Sequence, residues 1–220
     1  MRLRFNKNAN KILHSNTKYF FDTSQLHKCN PQKLFYPSNN PVMLEIGCGK
    51  GDFIINSALK YPEINFIALE KNETILAKAI NKALNYDLNN LKFISYDANN
   101  LNELFIDHCF TKIFLNFSDP WPKMRHAKRR LTHPTFLNKY QKLLTLDGWI
   151  EFKTDNDSLY DYTYNELLLN NNDKYNILYQ TTNLYGALSE FNNCNNIATE
   201  YEKKFHNLNK NIYKIVFNYK

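Results

Sequence analysis

From residue 41 onward, short apolar runs rich in β-branched and aromatic side chains alternate with stretches whose apolar positions recur at helical spacing. That alternation is the rhythm of βαβ units in an open sheet. The runs predict strands at Val42 to Ile46, Asn65 to Leu69, Leu91 to Tyr96, Lys112 to Phe117, Trp149 to Lys153, Asn176 to Thr181 and Ile212 to Phe217. A helix is expected from about Asp52 to Leu59. Another starts at Pro134, a residue suited to the first helical turn, and sets Phe136, Leu137, Tyr140, Leu143 and Leu144 on one face. Asp147-Gly148 reads as the turn that leads into the fifth strand. The predicted class is therefore α/β, a seven-stranded, mostly parallel sheet with helices on both faces. Residues 1–40 show little periodicity but carry Arg2, Arg4, Lys7, Lys11, Lys18, Lys28 and Lys33. They are expected to form a basic N-terminal arm, with the domain itself at 41–220.

Composition narrows the class of partner. A chain of 220 residues with 43% hydrophobic and 15% aromatic residues has ample apolar surface for one core, which excludes a disordered protein. The net charge of +7 and a pI near 9.1 favour a polyanionic partner. Cys29, Cys48, Cys109 and Cys194 form no C-x-x-C pair and have no His at metal-ligand spacing, so free thiols are expected, with no metal and no disulfide framework. The first ten residues lack a signal-peptide apolar stretch, and no window approaches the ~18 apolar residues of a membrane span. A soluble, cytoplasmic protein with no membrane partner is expected.

Ligands of open α/β sheets bind beyond the carboxyl ends of the strands, and the informative residues fall there. Gly47, Gly49 and Gly51 follow the first strand and precede a helix, which lets the backbone turn tightly and approach a ligand. A dinucleotide fingerprint would place its third glycine at position 52. Asp52 stands there and would repel a pyrophosphate at the helix N-terminus. The absence of a Tyr-x-x-x-Lys segment also argues against a dehydrogenase. The Glu45-x-Gly47-x-Gly49-x-Gly51 form resembles motif I of class I S-adenosylmethionine methyltransferases, whose cofactor is a phosphate-free cation. Glu70, 19 residues after Gly51, falls close to the offset at which an acid accepts ribose hydroxyls in such folds. Asp97 ends the third strand, where the fold resembled places the adenine contact.

The fourth strand delivers Ser118-Asp119-Pro120-Trp121-Pro122 to the same edge. Exocyclic-amine methyltransferases carry Asp or Asn, Pro, Pro and an aromatic in that order; here the aromatic comes one place early. Immediately after come Lys123, Arg125, His126, Lys128, Arg129 and Arg130, so six of the eight residues from Lys123 to Arg130 are basic or His. Phosphate contacts position a nucleic acid and base contacts specify it, so this run suits an RNA backbone and Asp119 the base. His126 fits a phosphate donor, a stacking platform or a plain surface residue. Lys153-Thr154-Asp155-Asn156 ends the fifth strand, and Thr199-Glu200-Tyr201-Glu202 lies near the C-terminus. Carboxylates such as Asp155 and Glu202 suit the ring N–H and amino donors of a base, and Tyr201 suits packing against it.

Together these segments resemble the bacterial tRNA (guanine-N7-)-methyltransferases over residues 41 to 217, most specifically from Leu115 to Leu131. The resemblance implies a Rossmann-like class I fold, S-adenosylmethionine as cofactor and tRNA as substrate, methylated at N7 of the variable-loop guanine. It implies cofactor contacts at Glu45, Gly47, Gly49, Gly51, Glu70, Asp97 and Asp119, with Asp119 also catalytic. Lys123, Asp155, Thr199, Tyr201 and Glu202 would contact the substrate, Thr199 to Glu202 as the family's T-x-Y-E element. Met124, Arg125, His126, Ala127, Lys128, Arg129 and Arg130 would bind RNA. Positioning of the base and proton transfer both remain open for Asp119, as do a monomer and a homodimer. A catalytically silent RNA-binding module on the same fold is opposed by the intact glycines and Asp119.

Overall fold

The computed structural model of the protein describes residues 6–24, 27–191 and 196–220; Arg2, Arg4 and Cys194, named above, lie outside the described residues. Its strands are β1 Val42–Ile46, β2 Asn65–Glu70, β3 Leu91–Ser95, β4 Phe110–Asn116, β5 Leu144–Thr154, β6 Tyr175–Thr181 and β7 Tyr213–Tyr219. They form one sheet in the order β3-β2-β1-β4-β5-β7-β6. The pairings are parallel as far as β5, and β7 runs antiparallel between β5 and β6. The chain winds outward from β1 to β3 and then returns to the other side of β1 at β4. A cleft therefore opens at the carboxyl ends of β1 and β4, the usual ligand position of such sheets.

The helices are α1 Ala9–Ser15, α2 Asp52–Lys60, α3 Glu73–Ala83, α4 Leu101–Leu104, α5 Pro134–Leu143, α6 Asp157–Asp161, α7 Leu184–Phe191 and α8 Glu200–His206. Ala9 and Leu13 of α1, Phe53 and Ile54 of α2 and Leu76 and Ile80 of α3 pack on one face of the sheet. Leu101 and Leu104 of α4, Phe136 and Leu137 of α5 and Leu159 of α6 fill the other. Helix α5 begins as expected at Pro134, with the His133 side chain accepting from the Thr135 N–H as cap.

Two expectations meet a different arrangement. Strand β5 begins at Leu144 rather than Trp149 and runs through Asp147-Gly148, which is not a free turn. Leu144 pairs with Phe110 and is buried, and the register then shifts so that Lys112 meets Trp149; the extra residues of β5 bulge out between these pairs. The segment read as a basic arm contributes buried Ala9, Leu13, Tyr19 and Phe20 to the core. Its backbone extends the edge of the sheet, with Phe93 N–H donating to Tyr19 O at 2.7 Å and Phe21 N–H to Phe93 O at 2.9 Å. Lys18 and Lys28 pair with Asp87 and Asp107. Leu13→Ala is expected to lower the unfolding free energy by about 2–5 kcal/mol. Denaturant unfolding checks this, and an unchanged midpoint would mean the segment does not pack.

Candidate active site

Three left-handed glycines shape the turn after β1. Gly47 has φ 78° and Gly51 φ 80°, and a Cβ on Gly51 would stand 2.9 Å from the Ala79 Cβ. Around Gly47 and Gly49 a Cβ would meet nothing within 4 Å, so the space above them is open to a ligand. The turn is tied to the neighbouring strand: Gly47 and Cys48 N–H donate to Leu69 O at 2.8 and 3.0 Å, and Gly49 N–H donates to Glu70 Oε2 at 3.3 Å. Glu70 Oε1 accepts from Asn72 N–H at 2.9 Å. Asp52 is paired with Lys82 Nζ at 2.6 Å in the first turn of α2.

Two clefts meet at Gly47 and Phe117. One, of about 500 Å³, is lined by Glu70, Asp97, Asp119, Trp121, Lys128 and Arg129 among others. The other, of about 380 Å³, is lined by Glu45, Gly49, Asn116, Thr199 and Tyr201 among others. The glycine turn, the strand-end acids and Tyr201 are thus brought to one edge of the sheet. Asp97 Oδ1 accepts from Asn99 N–H and Nδ2 at 2.8 Å each, leaving the rest of its carboxylate facing the cleft.

Glu45 is buried and accepts from Asn116 Nδ2 at 2.8 Å. Its Oε2, the Asn116 Oδ1 and the Ser118 Oγ are buried with no hydrogen-bond partner among the described residues. Unmet polar groups of this kind are costly, and here Glu45 and Asn116 border one cleft and Ser118 the other. Burial pushes the Glu45 carboxyl up to about 7 against the opposing pull of Asn116 and Lys153, with Glu70 and Asp52 adding to the rise. The pair lacks a cationic donor. Asn116 was not among the expected site residues; its only sequence signal is a polar side chain closing an apolar strand.

Asp119 is exposed and has no hydrogen-bond or ion-pair partner among the described residues. Phe117 and Trp121 on either side of it have φ 50° and 42°. Bulky residues in that region cost about 1–2 kcal/mol each and persist only where their surroundings hold them. Trp121 is held by His126, edge-on at 5.8 Å, and by the Arg129 guanidinium 4.9 Å over its ring. Residues Met124–Arg129 form a 3-10 turn with none of them buried, so Lys123, Arg125, Lys128 and Arg129 face solvent beside the cleft. Met124 is 73% exposed, and His126 and Ala127 are half-buried.

Two residues of the expected set are placed otherwise. Arg130 is only 4% exposed; its Nε donates to Pro120 O at 3.1 Å and its Nη2 to Trp121 O at 3.2 Å, and it lies 4.3 Å over the Tyr162 ring. It faces inward and offers no surface to RNA. Glu202 is 0% exposed and accepts from Lys153 Nζ at 2.8 Å, Asn196 Nδ2 at 2.6 Å and the Tyr185 hydroxyl at 3.2 Å. With both oxygens engaged inside the protein, it does not meet a guanine edge. Thr199 and Glu202 form a capping box at the start of α8, the Thr199 Oγ1 accepting from Glu202 N–H at 2.8 Å. Lys153, fully buried at the end of β5, is the partner that pattern reasoning passed over. A lysine directly after Trp149-Ile150-Glu151-Phe152 was the available signal.

Tyr201 stays 47% exposed, 5.4 Å from Phe117, and its hydroxyl pKa is raised by burial and by the charges of Asp155 and Asp119. Asp155 is half-buried, with Lys210 Nζ at 3.9 Å. Among the described residues no cluster of three or more His, Cys, Asp or Glu is arranged to hold a metal ion, and no helix is long and apolar enough to cross a membrane.

The protein superposes on the 16S rRNA methyltransferase KamB with a TM-score of 0.64 at 12% identity, covering 87% of this chain and 94% of that one. A family model described as "Putative methyltransferase" matches residues 39–215. The fold and the matching family model define a class I methyltransferase. The chain is 48% identical over 219 residues to the tRNA (guanine-N(7)-)-methyltransferase of Ureaplasma urealyticum serovar 10, covering 100% of this chain and 98% of that one. Over 222 residues it is 45% identical to the enzyme of the same description from Mesoplasma florum, covering 98% of each. It belongs to the tRNA (guanine-N(7)-)-methyltransferase family.

Proposed function

We propose that the protein transfers a methyl group from S-adenosylmethionine to N7 of a guanine in tRNA, the variable-loop guanine by family likeness. The observation that carries this reading is the placement of exposed Asp119, unpartnered among the described residues, between a glycine-lined cleft and a solvent-facing basic turn. The residues fit the cofactor. Glu45 and Asn116 present unmet acceptors to a cationic amino acid moiety, Gly47 and Gly49 leave open space, and Glu70 and Asp97 stand at successive strand ends for ribose and adenine. When bound, S-adenosylmethionine supplies an electrophilic methyl group.

Guanine N7 has an in-plane lone pair and loses no proton on attack, so the protein's work is approach geometry and stabilisation of the positive charge that develops on the base. Asp119 provides the negative charge that opposes it, Tyr201 packs on the ring, and Asp155 accepts from the Watson-Crick edge. Lys123, Arg125, Lys128 and Arg129 dock phosphates. Incubation with radiolabelled S-adenosylmethionine and bulk tRNA, followed by borohydride and aniline, tests the reading. Scission at the labelled nucleotide is expected because 7-methylguanosine is the reactive base; label without scission would place the methyl elsewhere.

The state of Glu45 adds a pH dependence. Its carboxyl, raised by burial to about 7, is largely protonated below neutrality, whereas a cationic ligand favours the carboxylate. Cofactor uptake therefore releases a proton, and affinity weakens as pH falls below 7, by up to about tenfold per pH unit. Calorimetry from pH 5.5 to 7 should show this slope and lose it in Glu45→Gln; a flat wild-type profile would remove Glu45 from the cofactor's contacts.

A further inference from the structure

The turn that presents Asp119 cannot hold its own shape. Pro120 and Pro122 lack N–H groups, and no backbone N–H from Ser118 to Lys123 donates a backbone hydrogen bond among the described residues. Trp121 nevertheless keeps a left-handed φ of 42°. His126 and Arg129 pack on the Trp121 ring, and the backbone carbonyls of the turn are gripped by a planar fork: Arg130 donates from Nε to Pro120 O at 3.1 Å and from Nη2 to Trp121 O at 3.2 Å.

The fork is itself held from behind. Its guanidinium lies 4.3 Å over the Tyr162 ring, at the start of a π-helical stretch, Tyr162–Leu168, and the next residue of that stretch, Thr163, shares a buried hydroxyl hydrogen bond of 2.8 Å with Thr132. Arg130 N–H is fixed on Ala127 O at 3.0 Å. The basic run thus has two roles by side-chain direction, with Lys123, Arg125, Lys128 and Arg129 exposed and Arg130 buried.

We infer that Arg130 is a positioning residue for methyl transfer: by clamping the Pro120 and Trp121 carbonyls it sets the direction of Asp119 and takes no part in docking RNA. The inference rests on the proposed role of Asp119. A guanidinium spans two neighbouring carbonyls with a rigid pair of donors, which an ammonium does not.

Single-turnover methyl transfer at saturating S-adenosylmethionine and tRNA, with the salt dependence of tRNA affinity, tests it. Arg130→Gln is expected to lower the rate by about ten- to a hundredfold, the scale of a catalytic group displaced by roughly 1 Å. Its log-log salt slope should equal that of the wild type. Arg129→Ala, in contrast, should flatten the slope by about 0.7–0.9 for a lost phosphate contact. Arg130→Lys should give an intermediate rate, and it carries the test if thermal melting shows that Arg130→Gln does not fold. In an Asp119→Ala background, Arg130→Gln should add little, since the group it orients is gone. A folded Arg130 variant with a wild-type rate, a flattened slope, or a loss fully additive with that of Asp119→Ala overturns the inference. If Asp119→Ala itself reacts at the wild-type rate, the role of Asp119 falls first and this one with it, a result distinct from failure of Arg130 alone.

Discussion

Asp119→Ala is expected to lower the single-turnover rate of methyl transfer by on the order of a hundredfold or more, comparable with removal of one preorganised electrostatic group. The side chain is exposed, has no partner among the described residues and is carried on a turn outside the strands, so its loss should leave the fold intact. Binding of tRNA should largely survive, because phosphate contacts supply most of such an affinity and the residues proposed to make them, Lys123, Arg125, Lys128 and Arg129, are untouched. Asp119→Asn is the sharper variant, since it keeps the size and removes the charge. With cofactor saturating, the rate should also lack a base-like rise near neutrality, because the N7 lone pair needs no deprotonation. Wild-type rates in both variants would move the search to Asp155.

The second large effect lies in the protein's interior. Glu202→Ala should destabilise the fold by about 3–5 kcal/mol, because it strands the Lys153 ammonium in a site with no exposure at all. Replacing both residues, as Lys153→Met with Glu202→Leu, should recover much of that loss, since the desolvation cost of both charges disappears together. Denaturant unfolding of the single and double variants gives the coupling directly. If Glu202 instead touched guanine, Glu202→Gln would slow methyl transfer without moving the unfolding midpoint. The pair ties the start of α8 to the end of β5, and Tyr201 is carried on the first turn of that helix. Loss of stability and loss of substrate affinity are therefore expected to appear together.

Much of this was legible in the chain. The alternation of apolar runs placed seven strands within a few residues of their positions, and β1 coincides end to end with its predicted range. Strand ends are readable because buried parallel strands need continuous apolar side chains, and the first polar residue after each run marks the ligand edge. Glu70 and Asp97 were expected from their places after such runs and Asp119 from the Asp-Pro-Trp-Pro turn after the fourth, and all three line one cleft. The bulge in β5 was not readable, because Asp147-Gly148 has the same local preferences in a turn as in a bulge, and only pairing with Phe110 decides between them. The packing of the N-terminal segment was missed for a related reason. Two buried positions on a helix of seven residues make too short a pattern to stand out among the basic residues of the whole segment.

By itself the sequence determined the sheet, the glycine turn and the acids at its edge, since these follow from local spacing and from the order of the chain. Only the tertiary structure decided which charges are available to a ligand. Arg129 and Arg130 are chemically identical neighbours, yet one is exposed and the other is buried against two carbonyls and the Tyr162 ring. Glu200 and Glu202 stand two places apart, the first at the surface with Lys50 at 2.9 Å and the second sealed on Lys153. Direction on a helix or a turn, and the presence of a distant partner, set the desolvation of a charge, and neither is a property of the residue or its neighbours in sequence.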